Sequence, residues 1–213
     1  QSFSDRRKMP RPKFKEVEHA YGFDDVALVP GDLTINPDQT DIHFTIGNFK
    51  LPVPILASAM DAVVDPALAI KLGKLGGLAV LNLEGVQTRY ENPDEALNQI
   101  AQASETEATS LLQKIYSAPI KENLIADRIS MIKQENVICA ASLTPANTKQ
   151  LAPIAKEAGM DILVVQSTVT TAKHVSKSYQ GLILSELCQM ISSPIIVGTC
   201  CSYSSVVISP LTL

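Results

Sequence analysis

Short, unbroken apolar runs alternate along this chain with longer segments of helical period, and that rhythm restricts the fold more than any other feature. Five runs are apolar without polar alternation: residues 53–57, 78–81, 137–142, 162–165 and 195–198. Strands of this kind are covered on both faces, as in parallel sheets whose crossovers lay helices against them. Between the first two, Asp65 stands at an N-cap position, Pro66 opens the helix, Leu68, Leu72 and Leu75 form an inward stripe, and Gly76-Gly77 ends it. Thr144, Pro145, an apolar face of Leu151, Ile154, Ala155 and Ala158, and a stop at Gly159 repeat the plan. Leu182, Leu187 and Met190 mark a shorter helix before the last run. The pattern predicts parallel strands, neighbours in chain order.

The connection from 82 to 136 exceeds what one crossover needs and carries three helical signals: 93–101, 106–116 with Leu111, Leu112 and Ile115 inward, and 121–133 with Ile125, Ile129 and Ile132 inward. Residues 1–20 are charged, contain proline and lack a period, so they read as an arm. A doubly wound open sheet and a (β/α)8 barrel both accept this order of elements. The turn after the first run reads ASAMDAVVDP, without a glycine, and no P-loop occurs, which argues against dinucleotide or P-loop phosphate sites of those two kinds.

Composition narrows the partners. With 18 basic and 22 acidic residues the formal net charge is -4, so no global positive field is present to hold nucleic acid or an anionic membrane. The longest apolar runs fall short of the roughly 20 residues a membrane helix requires. Four irregularly spaced cysteines and three histidines contain no CxxC pair, and read as reduced structural thiols of a cytoplasmic protein.

GFDDVALVPG (22–31), PILASAMD (54–61) and LGGLAVLN (75–82), in this order and spacing, resemble the IMP dehydrogenase/GMP reductase family. That family opens with FDDVLLxP, carries a Ser-x-Met-Asp turn after its first barrel strand and has a Leu-Gly-Gly turn into its second. The chain is similar to the compact branch without CBS domains, since the 82–136 connection is too short for a CBS pair and carries NLEGVQTRYE (82–91) instead. The resemblance, from about residue 21 to about residue 203, implies a (β/α)8 TIM barrel of which residues 21–213 hold about the first five βα units. A complete barrel takes about 250 residues. We therefore expect an incomplete or truncated member, without the glycine-rich loop that bears the family's nucleophilic cysteine after strand six.

The resemblance implies an oxidoreductase of guanine-nucleotide synthesis, in which a Cys thiolate adds to the purine of IMP, NAD accepts the hydride and water releases XMP. GMP reductase, with NADP, is the alternative; a catalytically inactive member is another. Ala59, between Ser58 and Met60, agrees fully with neither enzyme's usual residue. A monovalent cation and a homotetramer are implied for the full-length enzyme.

Ser58 and Met60 match positions that contact the nucleotide, and Asp61 either braces the loop or touches ligand. Gln166, Ser167 and Thr168 match the place where the family carries Asp-Ser-Ser against the cofactor, with Gln166 bringing no charge. Thr199 stands where the family has Asn. Cys200 and Cys201 follow the fifth strand rather than the sixth and lack glycine-rich surroundings, so no catalytic residue and no metal ligand is assigned. His19, His43 and His174 read as surface histidines.

Overall fold

The computed structural model describes residues 19, 21–167 and 181–198. The chain divides into two compact units, Gln1–Thr40 and Asp41–Leu213. In the first, the described residues form single 3-10 turns at Phe23–Asp25 and Pro37–Gln39, and Asp25 closes its turn by accepting from the Gly22 N–H at 2.8 Å. Of the arm expected over residues 1–20, only His19 is described.

The second unit opens with an antiparallel hairpin, β1 (Phe44–Ile46) and β2 (Phe49–Leu51). A parallel sheet follows in the order β3 (Leu56–Ala57), β4 (Leu78–Asn82), β5 (Ala140–Leu143), β6 (Ile162–Val165) and β7 (Ile195–Val197). All the neighbours expected from the sequence are found, each pair parallel. The helices are α1 (Pro66–Lys74), α2 (Val86–Arg89), α3 (Pro93–Gln102), α4 (Glu105–Ser117), α5 (Glu122–Gln134), α6 (Pro145–Glu157) and α7 (Leu184–Met190).

Alternate residues along the strands feed two cores, because successive side chains leave a strand on opposite faces. Ala79, Leu81, Cys139, Ala141, Leu143, Leu163 and Val165 pack against Ala69, Ile125, Ile129, Ile132, Leu151, Ala155, Leu184 and Leu187 from the helices. Leu78, Val80, Ala140, Ile162 and Val164 face the other way and meet Leu51, with Ile46 and Phe49 of the hairpin against them. A Cβ at Gly47, in the hairpin turn, would collide with Pro194 just before β7, so the hairpin sits toward the strands' N-terminal ends. The opposite edge is left for a site.

Several boundaries differ from the sequence reading. The first strand, expected over 53–57, is only Leu56–Ala57. Pro52 and Pro54 have no N–H to give a ladder, and Ile55 N bonds locally to Val53 O. The third begins at Ala140 rather than 137, because Asn136 turns the chain at φ +56 and the Cys139 N–H goes to the Asp161 carboxylate instead of to a strand. Leu75, expected in the α1 stripe, is 73% exposed: it is the C-cap, and Gly76 at φ +90 turns the chain away before it can face inward. Leu112 and Met190 are likewise exposed. The hairpin and α2 were not anticipated.

Asp65 caps α1 as expected, its Oδ1 accepting from Leu68 N at 2.6 Å. At α6 the cap differs. Thr144 occupies the N-cap position, but its own side chain makes no cap bond; its hydroxyl donates to Glu84.

Candidate functional site

Since β3 to β7 are parallel, the residues that follow them emerge on one edge: Ser58, Leu83, Thr144, Gln166 and Gly198. In α/β proteins this carboxyl edge is where ligands bind. Ser58 is exposed and Met60 is 54% exposed. A tight turn sets them there, with Met60 N donating to Ser58 O at 2.8 Å and Met60 O accepting from Val63 and Val64 N–H at 2.9 and 2.8 Å. Val64, fully buried, pins the turn into the main core.

Asp61 points inward. Its Oδ1 accepts from Asn82 Nδ2 at 3.3 Å, and its Oδ2 from Val86 N at 3.1 Å and the Tyr116 hydroxyl at 2.5 Å. A Cβ at Gly85 would overlap this carboxylate, so only glycine lets the loop after β4 close over it. Burial, followed by the hydrogen bond and charge of Asp61, holds the Tyr116 phenol well above its ordinary range. Of the two readings open for Asp61 in the sequence, the described contacts are those of a brace.

Glu84 carries the lacing one strand further. Its carboxylate accepts from Thr144 N, from Thr144 Oγ1 at 3.0 Å and from Asn147 Nδ2, placing a negative charge on the N-terminus of α6. Arg89 donates through Nε to Glu84 O at 2.9 Å and through its guanidinium to Ala118 O. Arg128 gathers the carbonyls of Gln87, Tyr90 and Glu91 at 3.0, 3.3 and 2.8 Å. The 83–136 connection is thereby tied to the carboxyl edge.

Gln166 is exposed and Ser167 half-buried at the end of β6, three strand spacings from Ser58, about 14 Å along a sheet. That separation leaves room for a second ligand beside a first. Thr168, Thr199, His174, Cys200 and Cys201 lie outside the described residues. Cys139 lies at the opposite edge, just before β5, where burial and then the Asp161 charge push its thiol up to about 12. Cys188, in α7, is also raised by burial. Neither is an activated nucleophile. Among the described residues no cluster of three or more His, Cys, Asp or Glu could hold a metal, and no helix is long and apolar enough to cross a membrane. His19 is exposed, and His43 pairs with Asp41.

Sequence reasoning missed Asn82, Gly85 and Tyr116. Asn82 carried a signal, a polar residue at the end of an apolar run; Tyr116 carried none, since a tyrosine on a helix's polar face is ordinary.

Residues 20–204 match the IMP dehydrogenase / GMP reductase domain family. The chain belongs to it. An uncharacterized oxidoreductase of Mycolicibacterium smegmatis is 29% identical over 189 residues, 86% of this chain and 50% of that protein. The inosine-5'-monophosphate dehydrogenase of Methanocaldococcus jannaschii is 29% identical over 125 residues, 59% of this chain and 24% of that enzyme. The crystal structure of an IMP dehydrogenase/GMP reductase-like protein from Corynebacterium glutamicum superposes with a TM-score of 0.83 at 30% identity, covering 92% of this chain and 52% of that one. The chain spans about half the length of the oxidoreductases and the solved structure it matches, and its sheet is a parallel half-barrel.

Proposed function

We propose that the protein is an NAD-dependent oxidoreductase that converts IMP to XMP, with Ser58 and Met60 as one wall of its nucleotide site. The observation that carries this reading is the exposure of both side chains on the carboxyl edge, on a turn held from beneath by Asp61. The Ser58 hydroxyl can both donate to and accept from a nucleotide's oxygens, and the Met60 thioether offers a polarizable surface to a flat purine. Gln166 and Ser167 suit the cofactor chemically: the nicotinamide carboxamide needs a donor and an acceptor, and the Gln166 amide carries both. NAD, when bound, supplies the hydride acceptor.

What the described residues contribute is binding and orientation, since neither of their thiols is exposed and activated. Binding of IMP to this chain can therefore be tested separately from turnover. Calorimetric titration with IMP tests the site, and Ser58→Ala should weaken binding about three- to tenfold, the worth of one hydrogen bond. Absence of IMP binding would remove the reading. NADH formation abolished by Cys200→Ser or Cys201→Ser would place the nucleophile in this chain, and GMP-dependent oxidation of NADPH would favour GMP reductase.

A further inference from the structure

We infer that Asp61 is a positioning residue, which sets the turn carrying Ser58 and Met60 by gripping the loop after β4 and the end of α4. The inference rests on reading Ser58 and Met60 as the nucleotide wall. Three donors from three different places converge on the two carboxylate oxygens: Asn82 at the end of β4, the Val86 N–H at the start of α2 and the Tyr116 hydroxyl at the end of α4. Asp61 directly follows Met60, whose carbonyl closes the same turn, so a displacement of the carboxylate moves Met60 with it.

The grip also has little room for alternatives. Gly85 packs so closely that a side chain there would displace the carboxylate. The α3–α4 hairpin is built on its own small core of Val86, Ala96 and Ile115, with Tyr90, Leu97, Ile100 and Leu111 against it, separate from the core beneath the sheet. Through Tyr116, the placement of that hairpin is transmitted to the exposed face of residues 58–60. The phenol is held above its ordinary range, so this donor keeps its proton beyond the pH at which a free tyrosine ionises.

A structural brace and a positioning residue give different results when a matched carboxylate at the other end of the sheet serves as control. Asp161, which accepts from Cys139 N at 2.8 Å and Lys133 Nζ at 2.7 Å beside the strands' N-terminal ends, is that control. IMP affinity by calorimetry, the thermal midpoint, and the Met60 methyl resonance in methionine-methyl-labelled protein are to be measured for the 213-residue chain and for Asp61→Asn, Tyr116→Phe and Asp161→Asn. Asp61→Asn and Tyr116→Phe should weaken IMP binding about fivefold or more and shift the Met60 methyl before nucleotide is added. Asp161→Asn should lower the midpoint and change neither. Unaltered affinity and an unaltered Met60 resonance in folded Asp61→Asn overturn the inference, as does an equal loss of affinity in Asp161→Asn. If the wild-type chain does not bind IMP, the nucleotide reading falls by itself, and the Met60 shift alone still decides whether Asp61 sets the turn.

Discussion

Tyr116 donates its hydroxyl at 2.5 Å to Asp61, and its phenol is raised first by burial, then by that bond and by the Asp61 charge. Spectrophotometric titration should therefore show a late tyrosine ionisation that is lost in Tyr116→Phe. Asp61→Asn should bring it down only part of the way, the share due to burial remaining. Cys139 shifts in the same direction, from 9.0 to about 12, because the thiol is buried beside Asp161. A group whose proton is held more tightly in the folded state stabilises fully below its unfolded pKa, and that contribution is lost as pH rises through the folded value. Denaturant titrations stepped from pH 9.0 to about 12 should thus show falling stability, with a shallower slope in Cys139→Ala. These assignments mark where sequence reading stops at the residue scale. A short motif places Ser58 and Met60 at the end of the first strand, but the partners of Asp61, Asn82 and Tyr116, lie 21 and 55 residues further on, and no local pattern connects them to it.

Among the elements, α1 and α6 show how far a capping rule reaches. Both have the expected cap position followed by proline, and at α1 the Asp65 side chain makes the bond itself. At α6 the carboxylate comes from Glu84, 60 residues upstream, and Thr144 holds it by its N–H and its hydroxyl. An anion there accepts the Thr144 amide and meets the positive end of the helix, for about 1 to 2 kcal/mol. Glu84→Ala should lower stability by about that amount in urea titrations, while Thr144→Ala, which leaves the N–H bond intact, should cost less. The apolar runs at 162–165 and 78–81 predict β6 and β4 closely, because both are flanked by residues that allow a ladder. Residues 53–57 are as apolar, yet Pro52 and Pro54 reduce the strand to two residues. The hairpin strands, Phe44–Ile46 and Phe49–Leu51 around Gly47-Asn48, are too brief for periodicity to mark them.

For the whole molecule, the consequence of a half-barrel is an outer strand with apolar neighbours. No described strand covers the outer side of β3, where Ile55 and Leu56 are 57% and 40% exposed and Val63, in the following turn, is 47% exposed. Natural sheet edges are protected by charge, proline or shortness. Here proline and shortness blunt backbone pairing, while Ile55, Leu56 and Val63 still present apolar side chains, so association through them rather than strand addition is expected. Apolar area left in water costs about 25 cal/mol per Å², a sizeable penalty beside a net stability of about 5 to 15 kcal/mol. The 213-residue polypeptide produced alone should therefore self-associate, its mass by light scattering rising with concentration. Ile55→Lys with Leu56→Lys should lower that mass at equal concentration without abolishing cooperative melting, since both residues lie outside the buried cores. A sharp monomeric peak at every concentration, with a cooperative transition, would show instead that the parallel half-barrel is self-sufficient and that its exposed apolar strand is tolerated as ordinary surface.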